Sequence, residues 1–234
     1  MTQTAQTIDH QKIASFDTPR DAARFNMIEQ QIRTWEVLDP AVLALFNTVP
    51  REKFVSESQV GLAFADVELP IGEGQTMLSP KVEGRILQAV GVKKTDKVLL
   101  VGTGSGYLTA LLATLAAHVH AVEIYPTLSA IAKNRLDQQN IHNVTLHVGD
   151  AASGYAEAAP YDVIVFTGSL PLRPVVAEKM LNVGGRLFAV VGELPIMQAT
   201  LTHRISEDAY RHETIFETCL PVLEDAPQAT KFAF

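Results

Sequence analysis

Between residues 98 and 122 the chain carries no charged side chain, neutral histidines aside. By length alone this stretch qualifies as a membrane-spanning helix. Its interior argues otherwise. A run of valines and leucines ends at Gly102, Gly104 and Gly106 follow, a helical pattern comes next, and His118 and His120 introduce a second apolar run. Glycines this close together break a helix. The segment therefore reads as strand, loop, helix, strand.

The same alternation continues. Strands are predicted over 97–101, 119–124, 144–148, 161–167 and 186–191, with helices over 107–117, 127–139 and 174–181 between them. Continuous apolar strands alternating with helices predict an α/β fold, a mostly parallel sheet covered on both faces. Two weaker β segments, 199–205 and 214–220, predict an antiparallel pair at the sheet edge. Ahead of the sheet, Phe25, Ile28, Ile32 and Trp35 recur at helical spacing, which makes Phe25 and Trp35 expected core contacts. Asp39-Pro40 caps a helix over 41–48, and Ser79-Pro80 caps another over 81–90. Residues 52–76 read as loop. The expected organisation is an arm over 1–20 and one domain over 21–234. Within the domain, 21–95 holds N-terminal helices and a substrate loop, 96–192 the ligand-binding core, and 193–234 the antiparallel edge.

Composition narrows the function classes. At 234 residues, with 47% hydrophobic and 19% charged, the chain is too apolar to be disordered and suits a single domain. Cys219 is the only cysteine, which excludes a disulfide framework and a cysteine zinc site; it is expected to be a buried, inert thiol. The excess of 26 acidic over 19 basic residues offers no general field for nucleic acid. The polar N-terminal stretch lacks the apolar centre of a secretory signal, so a cytoplasmic protein without membrane attachment is expected. His118 with His120, and His142 with His147, lack a third ligand at suitable spacing, so no metal is expected.

The glycine loop carries the functional signal. Gly102 permits a tight turn, Gly104 lets the backbone approach a ligand, and Gly106 allows close helix packing. Glu123 ends the next strand about 20 residues on, where a carboxylate accepts from a ribose hydroxyl pair. Asp150 ends the third strand, placed to meet an adenine amino group. Three successive strand ends so equipped predict a nucleoside site. The Gly-x-Gly-x-Gly spacing lacks the extra residue of dinucleotide loops, which favours S-adenosylmethionine over a nicotinamide cofactor.

With these residues in place, the chain resembles the class I S-adenosylmethionine-dependent methyltransferases. The shared features are the glycine loop, Glu123, Gly149-Asp150 and Leu181-Asn182-Val183-Gly184-Gly185-Arg186-Leu187. More narrowly it resembles the protein-L-isoaspartate O-methyltransferase family. That likeness rests on Met27-Ile28-Glu29-Gln30-Gln31-Ile32-Arg33, Val49-Pro50-Arg51-Glu52-Lys53-Phe54-Val55, Leu69-Pro70-Ile71-Gly72-Glu73-Gly74-Gln75-Thr76, Ala159-Pro160-Tyr161-Asp162 and Val191-Gly192-Glu193. The resemblance implies a Rossmann-like three-layer fold with about seven strands and bound S-adenosylmethionine. It also implies a cytoplasmic protein-repair activity, in which the abnormal carboxylate of an isoaspartyl residue in a damaged protein or peptide is methylated and the ester then closes to a succinimide. It implies cofactor contacts from Gly102, Thr103, Gly104, Ser105, Gly106, Tyr107, Glu123, Ile124, Asp150, Ala151 and Thr167. Acceptor contacts would come from Asp66, Pro70, Ile71, Gly72, Gly74, Thr76 and Leu78, with Asp66 equally suited to anchoring its loop.

Three departures stand out. The family's Ile-Ser-x-Pro after Gly-Gln-Thr reads Met77-Leu78-Ser79-Pro80 here, so Leu78 takes the place of a hydroxyl near cofactor and acceptor. Ser79 points to the opposite side of an extended segment and serves better as a helix cap. The family's Phe-Val-Pro-Leu stretch becomes Cys219-Leu220-Pro221-Val222-Leu223, and Thr167-Gly168-Ser169-Leu170-Pro171 replaces smaller residues after the fourth strand. No catalytic side chain is assigned, because a carboxylate acceptor, with a pKa near about 4, is ionised already. A hydroxyl bonded to a charged oxygen is worth about 1.5–3 kcal/mol, a factor of about 10 to 150 in rate. Cofactor binding with weak isoaspartyl turnover is therefore expected. The alternatives are a different acceptor, such as a small molecule, or a cofactor-binding protein with little turnover that docks a partner.

Overall fold

The computed structural model describes residues 16–228. Most of the expected arm lies outside them, and helix α1 (Pro19–Asn26) already begins within it, capped by the Thr18 hydroxyl on the Asp21 amide. The helical path widens into a π turn over Met27–Ile32 and tightens to a 3-10 turn over Arg33–Trp35. That change of pitch rotates the faces. Met27, Ile28 and Ile32 point inward, while Phe25 and Trp35 are 42% and 40% exposed, which corrects their expected place in the core.

Helix α2 (Pro40–Thr48) is capped by Asp39, which accepts from the Ala41 and Val42 amides. The region read as loop is more ordered than expected. Two 3-10 turns, Arg51–Lys53 and Glu57–Leu62, lead into an antiparallel hairpin of β1 (Leu69–Gly72) and β2 (Gln75–Met77). Gly72, Glu73 and Gly74 all take positive φ at its tip. Helix α3 (Pro80–Val90) follows, with Ser79 at the cap position but its hydroxyl making no capping bond.

The central sheet is built from β3 (Lys97–Val101), β4 (His118–Glu123), β5 (Val144–Val148), β6 (Tyr161–Leu170), β7 (Leu181–Glu193), β8 (Ile196–Arg204) and β9 (Tyr210–Glu217). Their order is β5-β4-β3-β6-β7-β8-β9, parallel as far as β7 and antiparallel beyond. Helices α4 (Tyr107–Leu115), α5 (Pro126–Gln138) and the short α6 (Val175–Glu178) form the crossovers. Within β3 the alternation is clean: Val98 and Leu100 face the larger core with the N-terminal helices, Leu99 and Val101 the smaller core on the other side.

Three expectations are corrected here. The helix over 174–181 shrinks to α6, because Leu181 is already paired with Tyr161 at the start of β7. Strand β6 runs past residue 167 to Leu170, because the tail folds back onto it: the Ser169 amide donates to the Pro221 carbonyl at 2.8 Å and its hydroxyl to Leu220 at 2.9 Å. Cys219 is exposed, since that same tail crosses the outside of the sheet end. Among the described residues no helix is long and apolar enough to cross a membrane.

Candidate functional site

Strand order reverses between β3 and β6, and open α/β sheets leave a crevice at such a switch, outside the carboxyl ends of the strands. The glycine loop occupies it. Gly102, Gly104 and Gly106 have φ of 88°, 52° and 86°, a region L side chains avoid. A Cβ on Gly102 would strike the Thr167 hydroxyl. One on Gly106 would sit 3.2 Å from the Ala132 backbone, so this glycine lets α5 pack close. Thr167 Oγ1 bonds the Val101 and Gly102 carbonyls, both at 3.0 Å, and fixes the start of the turn from the neighbouring strand.

Glu123 is only 4% exposed and braces the loop from the other side. Its Oε2 accepts from the Gly104 amide at 2.8 Å and its Oε1 from the Tyr125 amide at 3.2 Å. Each carboxylate oxygen keeps further acceptor capacity, enough for a vicinal hydroxyl pair. Asp150 is exposed at the end of β5, with Oδ1 tied to the Ala152 amide at 2.7 Å.

An open cleft of about 560 Å³ runs between these strand tips, the β1–β2 hairpin and the tail. It brings together Gly102, Gly104, Glu123, Ile124, Asp150, Ala151 and Thr167 with Ile71 and Thr76 from the expected acceptor set. The other expected residues lie elsewhere. Thr103 and Ser105 are buried, and Ser105 Oγ accepts from the Tyr107 amide as a cap on α4. Tyr107 turns into the core, its ring 5.4 Å from Phe54 and 6.5 Å from Phe46. Pro70, Gly72 and Gly74 shape the hairpin behind the cleft wall. Leu78 is 6% exposed and belongs to the larger core. Asp66 forms an ion pair with Lys81 at 2.7 Å, and Lys81 lies 4.3 Å above the Trp35 ring, which is the loop-anchoring arrangement.

The cleft also uses residues not expected from the sequence: Gln75, Tyr125, Leu128, Ala152, Leu223 and Glu224. Tyr125 and Ala152 lie two residues beyond the strand-end acids, so the strand ends themselves pointed to them. Glu224 had no local signal. It reaches the site because the tail lies on β6, and there it accepts from the Tyr125 hydroxyl at 3.2 Å and from Gln75 Nε2 at 3.5 Å. Desolvation and that bond to Glu224 push the Tyr125 phenol up. The lining holds three carboxylates and no lysine, arginine or histidine. Such a wall favours a cationic ligand and gives no cationic side-chain partner to a pyrophosphate.

Comparison with known families matches residues 22–223 to "Protein-L-isoaspartate(D-aspartate) O-methyltransferase (PCMT)". The chain belongs to that family. A protein-L-isoaspartate O-methyltransferase from Protochlamydia amoebophila is 43% identical over 190 residues, 81% of this chain and 90% of the relative. One from Picosynechococcus is 38% identical over 204 residues, 87% of this chain and 91% of the relative. A solved protein-L-isoaspartate O-methyltransferase superposes with a TM-score of 0.74 at 24% identity, covering 87% of this chain and 65% of that one, so this chain spans under two thirds of that structure. A candidate family member from Plasmodium falciparum, in complex with S-adenosyl-L-homocysteine, gives 0.72 at 18% identity over 85% of this chain and 97% of its own. These likenesses match the seven-stranded, mostly parallel architecture.

Proposed function

We propose that the cleft binds S-adenosylmethionine and that the chain methylates the side-chain carboxylate of isoaspartyl residues in damaged cytoplasmic proteins. The observation that carries this reading is Glu123, buried against the glycine loop with acceptor capacity left over, at the end of the strand beside it. The residues fit the ligand. Gly102 and Gly104 leave the backbone bare where a nucleoside must approach, Glu123 accepts from the ribose, and Asp150 stands over the adenine position. When bound, the sulfonium supplies an electrophilic methyl group, and a lining whose charged side chains are all carboxylates suits its charge.

The chain's own task is then positional. An ionised carboxylate needs no general base. It needs to be held about 3–3.5 Å from the methyl carbon, in line with the sulfur, and kept from water. Thr76 and Gln75 on the hairpin and Leu223 and Glu224 on the tail wall the side from which a peptide enters. Calorimetry with S-adenosylhomocysteine and with NAD, followed by labelled methyl transfer to an isoaspartyl peptide and its aspartyl twin, tests the proposal. Binding of NAD alone, or equal labelling of both peptides, overturns it.

A second reading, the same cofactor with weak isoaspartyl turnover or another acceptor, is favoured by Leu78. Its buried side chain offers the acceptor no hydrogen bond. Leu78 lies in the core outside the cleft lining, so the hydroxyl of Leu78→Ser raises isoaspartyl turnover, by about tenfold, only if that segment turns toward the cleft. No gain in a folded variant counts against the hydroxyl argument. Because Leu78 is packed in the core, the variant is expected to lose about 2–5 kcal/mol of stability, readable as a lower urea midpoint.

A further inference from the structure

Arg51 has no exposed surface and lies outside the cleft lining. It sits in the 3-10 turn after Pro50, and its guanidinium joins three other elements. One nitrogen bonds the Glu83 carboxylate on α3, itself 1% exposed. The other donates to the Leu78 carbonyl at 2.6 Å. The carbon between them lies 5.0 Å from the centre of the Tyr107 ring, on the first residue after the glycine loop. Its Nε has no acceptor among the described residues.

Stability alone does not account for this arrangement. A buried ion pair is on average no better than well-packed apolar side chains of the same volume, and an unbonded buried donor is a further penalty. Buried polar groups are best attested as devices that fix register. Here the register is between the two halves of the site. Leu78 lies two residues from Thr76 in the cleft wall, and Tyr107 lies three residues from Gly104 in the opposite wall.

We propose that Arg51 is a positioning residue for methyl transfer. It locks the Leu78 carbonyl, and with it the segment carrying Thr76, at a fixed offset from the glycine loop. This rests on the reading of Thr76 as an acceptor-side residue. The planar fork of arginine reaches Glu83 and Leu78 together; a lysine ammonium is a single point at the end of a flexible stem. Displacement of about 1 Å between reacting groups lowers rate about a hundredfold, while a cofactor held by other residues stays bound.

The test compares Arg51→Met and Arg51→Lys with the full wild-type chain. In folded Arg51→Met, kcat on an isoaspartyl peptide should fall about a hundredfold while S-adenosylhomocysteine affinity stays within about threefold, and Arg51→Lys should recover only part of the loss. An unchanged kcat overturns the proposal. So does a parallel fall in kcat and S-adenosylhomocysteine affinity, which would mark general loosening. If Arg51→Met does not fold, hydrogen exchange in Arg51→Lys decides. Exchange should quicken over 75–79 and stay unchanged over 102–107, and uniform quickening overturns the proposal. If the wild-type enzyme labels no isoaspartyl peptide, the proposed function fails on its own, and the same exchange experiment still decides the role of Arg51.

Discussion

The two walls of the cleft are made differently. One wall, the proposed cofactor side, consists of strand tips from consecutive βα units: the glycine loop after β3, Glu123 after β4 and Asp150 after β5. The other, the proposed acceptor side, is assembled from a hairpin that precedes the sheet and a tail that follows it, joined where Glu224 accepts from Gln75 and, across the cleft, from Tyr125. Local chemistry fixes the first wall. Long-range pairing fixes the second. Substitutions on the cofactor side should therefore act on binding, and those on the acceptor side on turnover.

The largest effect should come from Gly102→Ala. The new methyl meets the Thr167 hydroxyl at a backbone angle alanine avoids, and S-adenosylhomocysteine affinity should fall by at least about a hundredfold in calorimetry. Retained affinity would mean that the glycine loop is not the floor of the site. Next is Glu123→Gln. The amide nitrogen cannot accept from Gly104 and Tyr125 together with the remaining oxygen, and a weakening of about tenfold or more is expected, with little change in acceptor KM for the bound complex. A purely kinetic defect in this variant would blur the division between the walls.

Glu224→Gln should do much less. The carboxylate is exposed, and losing its contacts with Tyr125 and Gln75 should change cofactor affinity by about threefold at most, less at high salt. The smallest effect concerns pH. Burial pushes the Glu83 carboxyl up to about 7, with Arg51 pulling it down. Arg51 and the Tyr107 phenol are its charged and titratable neighbours, with Arg24 and Glu52 acting on the same phenol. Between the ordinary carboxyl range and about 7 the folded chain holds a proton that the unfolded chain has shed. Stability from this group therefore falls as pH rises through that window and levels off above it. The difference in urea midpoint between wild type and Glu83→Gln should shift in that sense from pH 5 to 7. A flat difference would show that the pair is ionised throughout.

The same division explains what the sequence made legible. The glycine triplet, Glu123 and Asp150 were readable because each sits at a strand end, and these strand ends follow from where the continuous apolar runs stop. The hairpin was missed although Gly72-Glu73-Gly74 marks its tip, because its strands are short and Pro70 weakens the strand signal. Phe25 and Trp35 were misplaced because a π turn changes pitch without any proline or glycine to announce it. Leu223 and Glu224 were invisible because their position depends on the bridge between Ser169 and Val222. Tyr107 entered the expected cofactor set through the family resemblance, but its side chain turns into the core, buried with its ring under Arg51.

Thr167 and Gly102 divide one small volume between two strands. The hydroxyl of the first stands where the second would carry its methyl, and bonds the carbonyls on either side of the gap. A smaller residue at 167 would clear the space for a Cβ at 102 but leave the φ of 88° that L side chains avoid, so position 102 stays glycine whatever its neighbour across the sheet carries.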